Sequence, residues 1–517
     1  MIEEALSWSE LGPCLSSKLA EYLTQKHGIT PAAARQKISR AGPAVKKLAH
    51  LPFARRVRFM YLQQDYASPR YWHNLFQAIY DTNGPYARAL GAVEARRVVP
   101  LADFDSACGS PIAQKKHLGA RTVLQRMMQA DILVTESLPG LGPCVMTKKL
   151  FEAYQQSAGI QEPALARARL IAERALLDSI KEWLRRLGMA SFDRIKLRGD
   201  EGPPPQVGTF TWDLSAPCYL APLLSWHRDQ STPSPGFVVC DVLLNSPVKL
   251  HHIEPFVHKV KTLQSIKTMK RVFFIFVADR YSREAFRALR EVGVIPGTPE
   301  SLFGKEIAEA FKELVGALTK AAMGSLNPEK FDDMFSRLSK LEGAMGNMRG
   351  AFFELLVAHI VRRDSPGQPV LNKVCKGLND EEAEVDVFLL QEGNSPRMIE
   401  CKGMGPGTQV SDDEIGKWLT VRINRVRQHL ERIEAVTPNG PKPRFELWTS
   451  GVLSHNAQCR IDRTREANKA KFELIIMGPD EIREVVKSDK ALLRTLEHHF
   501  LPQNRKIEAE SDWLGNL

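Results

Sequence analysis

From Glu384 to Lys402 the chain alternates apolar and charged residues with a period of two. Val385, Val387 and Leu389, then Ile399 and Cys401, are interleaved with Glu384 and Asp386, then Glu400 and Lys402. Side chains two apart in a strand share a face, so the spacing predicts two strands, each with one apolar and one polar side. Glu392-Gly393-Asn394-Ser395-Pro396 supplies turn residues between them and predicts a hairpin whose polar faces converge. Two carboxylates, Asp386 and Glu400, and the ammonium of Lys402 then line one side of a sheet. A salt-bridged outer face shows the same alternation, so the hairpin alone does not separate a site from a surface.

Neighbouring segments narrow the choice. Met348 to Ile360 has helical periodicity and carries Glu354, whose neighbours three and four residues away are Gly350, Ala351, Val357 and Ala358. A carboxylate on so small and apolar a face is not simply solvated. After Lys402, Gly403-Met404-Gly405-Pro406-Gly407 predicts a loop that leaves the strand end open to a bulky ligand. Ile415, Leu419, Ile423, Val426, Leu430 and Ile433 then mark one face of a helix whose other side carries Lys417, Arg422, Arg425, Arg427 and Arg432. A basic helix beside an acidic hairpin suits a polyanion held over a cation.

The order helix-Glu, strand-Asp, strand-Glu-x-Lys, helix resembles the PD-(D/E)xK nuclease superfamily, the restriction-endonuclease-like fold, over roughly residues 340 to 480. Val385 stands where the motif's name has proline, a variation that family tolerates. The resemblance implies Glu354, Asp386, Glu400 and Lys402 as catalytic residues, with Mg²⁺ (or Mn²⁺) on Asp386 and Glu400. A phosphodiester is an anion that repels hydroxide. A divalent cation on hard oxygen ligands neutralises it, acidifies a bound water and stabilises the leaving alkoxide. Lys402 would position that water and steady the developing charge, or act as base if its pKa were lowered. Glu354 would act behind the ligands or on a second metal. Glu384 shares the face of Asp386 and could substitute for it or stay solvated; Cys401 points the other way, into the core.

Composition sets wider limits. The 517 residues suffice for about three to four domains, each able to bury its own core. An apolar share of 43% and a charged share of 25% exclude a disordered chain. The net charge of +11 favours a polyanionic partner, nucleic acid first and an anionic membrane surface second. Eight scattered cysteines without a Cys-x-x-Cys pair argue against a zinc module and a disulfide framework, and fit a reducing interior. No apolar run approaches the roughly 20 residues of a membrane span. Met1-Ile2-Glu3-Glu4 lacks the start of a secretion signal. The expectation is a cytoplasmic protein with no membrane partner.

Residues 1–105 read as a winged-helix-like DNA-binding module. Leu15, Leu19, Tyr22 and Leu23 mark one helix, Thr30 caps a second beginning at Pro31, and Arg55 to Tyr61 alternates like a wing strand. Arg35, Lys37 and Arg40 are its candidate DNA contacts, against the plain alternative of a solvated face. Residues 106–190 read as a second such module with a connecting helix: a helix from His117 to Met128, a strand from Asp131, and a return at Cys144-Val145-Met146. Lys115, Lys116, Arg121 and Arg126 form its positive side, and Ala164 to Leu187 is a long amphipathic helix.

Within 200–325, buried-strand runs at Phe237–Leu244 and Arg271–Ala278 flank a helix, with another helix from Ser282 to Val292. Strand, helix, strand, helix implies parallel pairing. The segment looks like a degenerate copy of the nuclease fold, with Asp213 and Asp241 in the carboxylate places and Leu243 in that of the lysine. An unrelated α/β module is the alternative. His251, His252 and His258, read in a strand, do not assemble a zinc site. Gly304-Lys305 misses the phosphate-loop spacing, so ATP hydrolysis is not expected.

The chain is thus expected to be a multidomain α/β (α+β) protein. N-terminal winged helices and a degenerate α/β domain precede a restriction-endonuclease-like catalytic domain with a mixed central sheet at 330–495, and 496–517 form a tail. The function expected is Mg²⁺-dependent DNA endonuclease activity on duplex DNA, in bacterial antiviral defence or DNA repair. One site cuts one strand, so double-strand cleavage would call for a homodimer. A separate ATPase or helicase would supply any translocation. A catalytically silent DNA-binding regulator or scaffold, or an RNA nuclease using the same site, stays open.

Overall fold

The computed structural model describes residues 1–7, 9–112, 118–156, 161–225, 233–244, 247–266, 269–340, 345–365, 367–378, 381–390, 394–436 and 440–502. Lys115, Lys116 and His117, the turn residues Glu392 and Gly393, and the tail from 503 with Trp513 lie outside them. Contacts divide the chain into two units. The first is Met1–Glu136, Pro143–Ala158 and Met189–Gly297; the second is Ser137–Gly142, Gly159–Gly188 and Thr298–Leu517.

The first unit begins with strand Cys14–Leu15, helices Ser16–His27 and Pro31–Ser39, and strands Val45–Lys47 and Phe59–Leu62, the last central in a three-stranded sheet. Thr30 caps the second helix through Ala33 N at 3.3 Å, and Pro31, which has no N–H to satisfy, opens it. The strand expected from Arg55 starts later. Ala54–Arg56 form a 3₁₀ turn in which Arg55 and Arg56 take φ of 55° and 62°. Phe59–Leu62 does not alternate apolar with polar, because Phe59 and Tyr61 fill one core while Met60 and Leu62 fill another. The helix expected from His117 is described from Ala120 to Gln129. Strand Gly142–Thr147 lies between Val98–Pro100 and Leu133–Leu138.

The unit's larger sheet runs Val294–Gly297, Val272–Ala278, Gly236–Leu243, Leu214–Cys218, Lys196–Leu197. The first two junctions are parallel, as the strand-helix alternation implies, and the last two antiparallel. His251, His252 and His258 lie in the helix Leu250–Ser265 rather than in a strand.

In the second unit the sheet runs Val370–Lys376, Glu382–Leu389, Arg397–Lys402, Arg444–Thr449, Glu473–Met477. Its first two junctions are antiparallel and its last two parallel, so both sheets join their strands in the same senses around a central strand. Helix Met345–Asp364 packs against the long helix Gln161–Arg186. The helix expected over Ile415–Ile433 is Asp412–Lys417 and Ile423–Arg432, joined by a π turn at Trp418–Arg422. Ile415, Leu419, Ile423, Val426 and Leu430 of its apolar stripe join Val385, Phe388, Met398 and Phe445 in one core cluster of the unit, whereas Ile433 is exposed. No helix among the described residues is long and apolar enough to cross a membrane.

Candidate active site

Strand register brings the predicted carboxylates together. Val387 pairs with Ile399 and Phe388 with Met398, so Asp386 and Glu400 are the next cross-strand neighbours. Asp386 Oδ2 accepts a hydrogen bond from Cys401 N at 2.7 Å. Glu400, 4% exposed, takes Lys402 Nζ at 3.2 Å on Oε1 and Arg422 Nη1 on the same oxygen. Lys402 also lies 3.7 Å from Glu414 Oε1. Cys401 is buried on the opposite face, as its place in the alternation predicts.

Glu354 is held by two residues that the sequence did not single out. Arg167, from the long helix, places Nη2 2.5 Å from Glu354 Oε2, and Asn372 Nδ2 donates to the same oxygen at 3.2 Å. Asn372 takes the left-handed conformation, φ 51°, where strand pairing skips from Leu371 with Val387 to Lys373 with Val385. It therefore sits at the register position opposite Asp386. Asparagine tolerates that conformation better than most residues, and such strain collects at working sites.

The charges are not fully compensated. Removal from water pushes the Asp386 carboxyl well above the usual carboxylate range; the charges of Glu400 and Glu354 push the same way, and Cys401 N–H and Lys402 offset this only in part. Burial works against the charge on Arg422, yet Glu400, with Asp386 and Glu414 behind it, holds the guanidinium above its usual value. Each carboxylate also keeps an oxygen, Asp386 Oδ1, Glu400 Oε2 and Glu354 Oε1, that no described residue engages. Hard oxygen donors with surplus negative charge fit Mg²⁺ or Mn²⁺.

Other expected residues are placed differently. Arg422 engages Glu400 instead of standing free for phosphate, because the π turn carries it over the carboxylate. Arg425 is tied to Glu381 Oε2 at 3.2 Å and Glu382 O at 3.0 Å, whereas Lys417 is exposed. The glycine loop does not leave the strand end open. Ser450 Oγ accepts from Met404 N at 2.8 Å and donates to Met404 O at 3.0 Å. At Gly403 a Cβ would come within 2.4 Å of Phe353 Cβ, so the loop closes the strand onto the Glu354 helix. In the first unit Arg35, Lys37 and Arg40 are exposed, with no ion-pair partner among the described residues. Arg121 pairs with Asp105 at 3.2 Å and Leu101 O at 3.0 Å, and Arg126 reaches Tyr86 Oη at 3.1 Å.

The first unit's larger sheet repeats the carboxylate geometry. Leu214 pairs with Cys240, so Asp213 and Asp241 are the next cross-strand neighbours, and Val242 N donates to Asp213 Oδ2 at 2.9 Å as Cys401 N does to Asp386. Leu243 occupies the lysine's place, but an ammonium arrives from the neighbouring helix. Lys259 Nζ lies 2.6 Å from Asp241 Oδ2, 2.9 Å from Thr211 O and 4.6 Å over the Trp212 ring. Arg198 Nη1 donates to Asp213 Oδ1 at 2.9 Å, and Asp213 N donates to Asp241 Oδ1 at 2.9 Å. All four oxygens are thus engaged around a lysine that is 1% exposed. Unlike Asp386 and Glu400, this pair keeps no unengaged oxygen for a hard cation. The sequence signal for Lys259 was available: of its three- and four-apart neighbours, Pro255, Phe256 and Leu263 are apolar, with Thr262 the exception.

No family model matches the chain, and no curated protein matches it. Among solved structures, the crystal structure of a protein of unknown function, AF1548, is 18% identical over an alignment covering 26% of this chain and 62% of that one, with a TM-score of 0.19. The alignment spans less than two thirds of that protein, and a likeness at this level carries no argument about fold or function.

Proposed function

We propose that the second unit hydrolyses phosphodiester bonds in duplex DNA with a divalent cation held by Asp386 and Glu400. The observation that carries this is the meeting of Glu354, Asp386 and Glu400, each with an unengaged oxygen, beside Lys402. Mg²⁺ bound there would neutralise the phosphoryl oxygens and lower the pKa of its water. The chain's own groups do the rest. Cys401 N fixes the orientation of Asp386. Lys402 orients the attacking water and steadies the charge that develops on phosphorus-bound oxygen. Arg167 and Asn372 hold Glu354 at its distance from Asp386.

Exposed Arg35 and Lys37, on the second helix of a helix-turn-helix that leads into a three-stranded sheet, and Arg40 at its C-cap support a winged-helix contact with DNA. The saturated Asp213–Asp241–Lys259 cluster supports a silent, nuclease-derived copy in the first unit. A setting in defence against foreign DNA or in repair accords with such an enzyme. One observation favours the catalytically silent scaffold instead: Glu400 already carries Lys402 and Arg422.

Incubation with Mg²⁺ or Mn²⁺ and supercoiled, linear or single-stranded DNA, or RNA, separates these readings. Cleavage of duplex DNA is expected, abolished by chelator and reduced at least ~100-fold by Asp386→Asn and by Lys402→Ala. Cleavage that survives Asp386→Asn rejects the site, and preference for RNA transfers the chemistry to that substrate.

A further inference from the structure

Asp332, His498 and His499 meet away from the carboxylate cluster, within the second unit. Asp332 lies on helix Pro328–Leu338, and the histidines end helix Lys490–His499. Asp332 Oδ1 is 3.0 Å from His498 Nδ1 and 2.8 Å from His499 Nε2. Adjacent histidines converge on one oxygen because they present different ring nitrogens, with the rings 4.5 Å apart and tilted by 33°. The His499 side chain is 8% exposed and that of His498 58%, so the cluster has one anchored and one open side.

We propose that these three side chains bind a divalent transition-metal cation of the Zn²⁺ class. Two borderline imidazole nitrogens with one carboxylate oxygen make a donor set that suits Zn²⁺ and not Mg²⁺. The candidate ligand atoms lie within 4.8 Å of one another. Bonds of about 2.0–2.1 Å in a tetrahedron place ligand atoms about 3.3 Å apart, so the two contacts of Asp332 Oδ1 must lengthen by about 0.3 to 0.5 Å. The exposed His498 ring can supply that movement, and the open side leaves a fourth position to water.

The buried side gives the metal something to hold. The His499 ring lies 4.9 Å from Phe335, tilted by 51°, and Phe335 meets Phe352 edge to face at 4.5 Å, in the helix that carries Glu354. A cation here clamps the C-terminal helix to Pro328–Leu338 and, through these ring contacts, to the Glu354 helix. Cysteine spacing argued against a zinc module, but this cluster uses no cysteine and joins residues 166 and 167 positions apart, where no spacing motif operates.

The test uses untagged full-length protein, stripped with chelator, then equilibrated with Zn²⁺ and dialysed. Bound metal is measured by atomic emission and stability by thermal melting. One Zn²⁺ per chain should be retained with a melting temperature raised by several degrees, and in Asp386→Asn, whose carboxylate cluster no longer responds to Mg²⁺, Mg²⁺ should do neither. Asp332→Asn and His498→Gln should each weaken Zn²⁺ binding at least ~10-fold. Asp332→Asn also disturbs helix packing, so the exposed His498→Gln decides, provided that its metal-free melting temperature equals that of the wild type. Asp386→Asn should keep the metal, which separates this site from the carboxylate cluster. No retained Zn²⁺, or wild-type affinity in the Asp332→Asn/His498→Gln double variant, overturns the proposal and leaves a hydrogen-bonded staple.

Discussion

Asp386 and Asp213 occupy equivalent register positions, each accepting a backbone N–H from the facing strand, yet their charges are handled differently. Among the described residues no cation is bonded to Asp386. Its folded pKa lies above the unfolded value, raised by removal from water and then by Glu400 and Glu354, so the folded state binds its proton more tightly. Metal-free protein should therefore lose stability as pH rises from the ordinary carboxylate range to that raised value, with no further loss above it. Asp386→Asn, which keeps an acceptor for Cys401 N, should show a smaller loss and be more stable than wild type at neutral pH by about 1–3 kcal/mol. Mg²⁺ should narrow the gap by stabilising only the wild type. Urea unfolding across pH, with and without Mg²⁺, measures both effects, and identical pH slopes would refute the account of Asp386. Around Asp213 the charge is balanced internally: burial pushes its carboxyl up to about 6 while Arg198 opposes the rise. Lys259→Met leaves Asp241 buried without its counter-ion and should destabilise by about 3–5 kcal/mol. Adding Asp241→Asn should recover most of that loss in the same unfolding assay.

Elements, more than single residues, decide whether the carboxylates meet. Period-two alternation made the Asp386 and Glu400 strands legible, and the small apolar neighbours of Glu354 marked its helix as packed. The partners of those elements were not legible. Arg167 lies 187 residues before Glu354, and nothing local records that the long helix lies against Met345–Asp364. Asn372 depends on a break in strand pairing, and the π turn that carries Arg422 to Glu400 adds a residue without disturbing the apolar stripe by which the helix was recognised. Arg55–Tyr61 misled for a related reason: alternation resembles a strand even where positive φ bends the chain into a turn. The loop after Lys402 gives the sharpest test at this scale. Gly403→Ala sets a Cβ 2.4 Å from Phe353 Cβ and 2.7 Å from Arg349 O, neither of which can swing aside. The Glu354 helix must then retreat from the strand end, destabilising the protein by about 1–3 kcal/mol. A crystal structure should show Glu354 displaced, and cleavage should fall even where the variant remains folded.

Across the molecule, the two larger sheets share strand senses and the same facing carboxylates, yet one pair is saturated by Lys259, Arg198 and backbone N–H groups while the other keeps oxygens unengaged. On the proposed nuclease reading, a chain with one open and one saturated carboxylate pair would divide its work between chemistry and support. Its net charge of +11 would then belong to the supporting role, because a polyanion is gathered by many cations and cut at one place. Arg35, Lys37 and Arg40 are suited to that role, being exposed on one helix and its C-cap and outside any ion pair among the described residues. Arg121 and Arg126 are already engaged within the protein, and their removal should matter less. The triple variant Arg35→Ala/Lys37→Ala/Arg40→Ala should keep the wild-type melting temperature while weakening duplex binding. Each lost phosphate contact removes nearly one unit from the slope of log affinity against log salt, so the slope should shrink by about 2 to 3. Lys402→Ala, which touches only the chemical site, should leave that slope unchanged while abolishing cleavage. Fluorescence anisotropy on a labelled duplex at several salt concentrations reads both variants, and an unaltered slope in the triple variant would remove this helix from the DNA-binding surface.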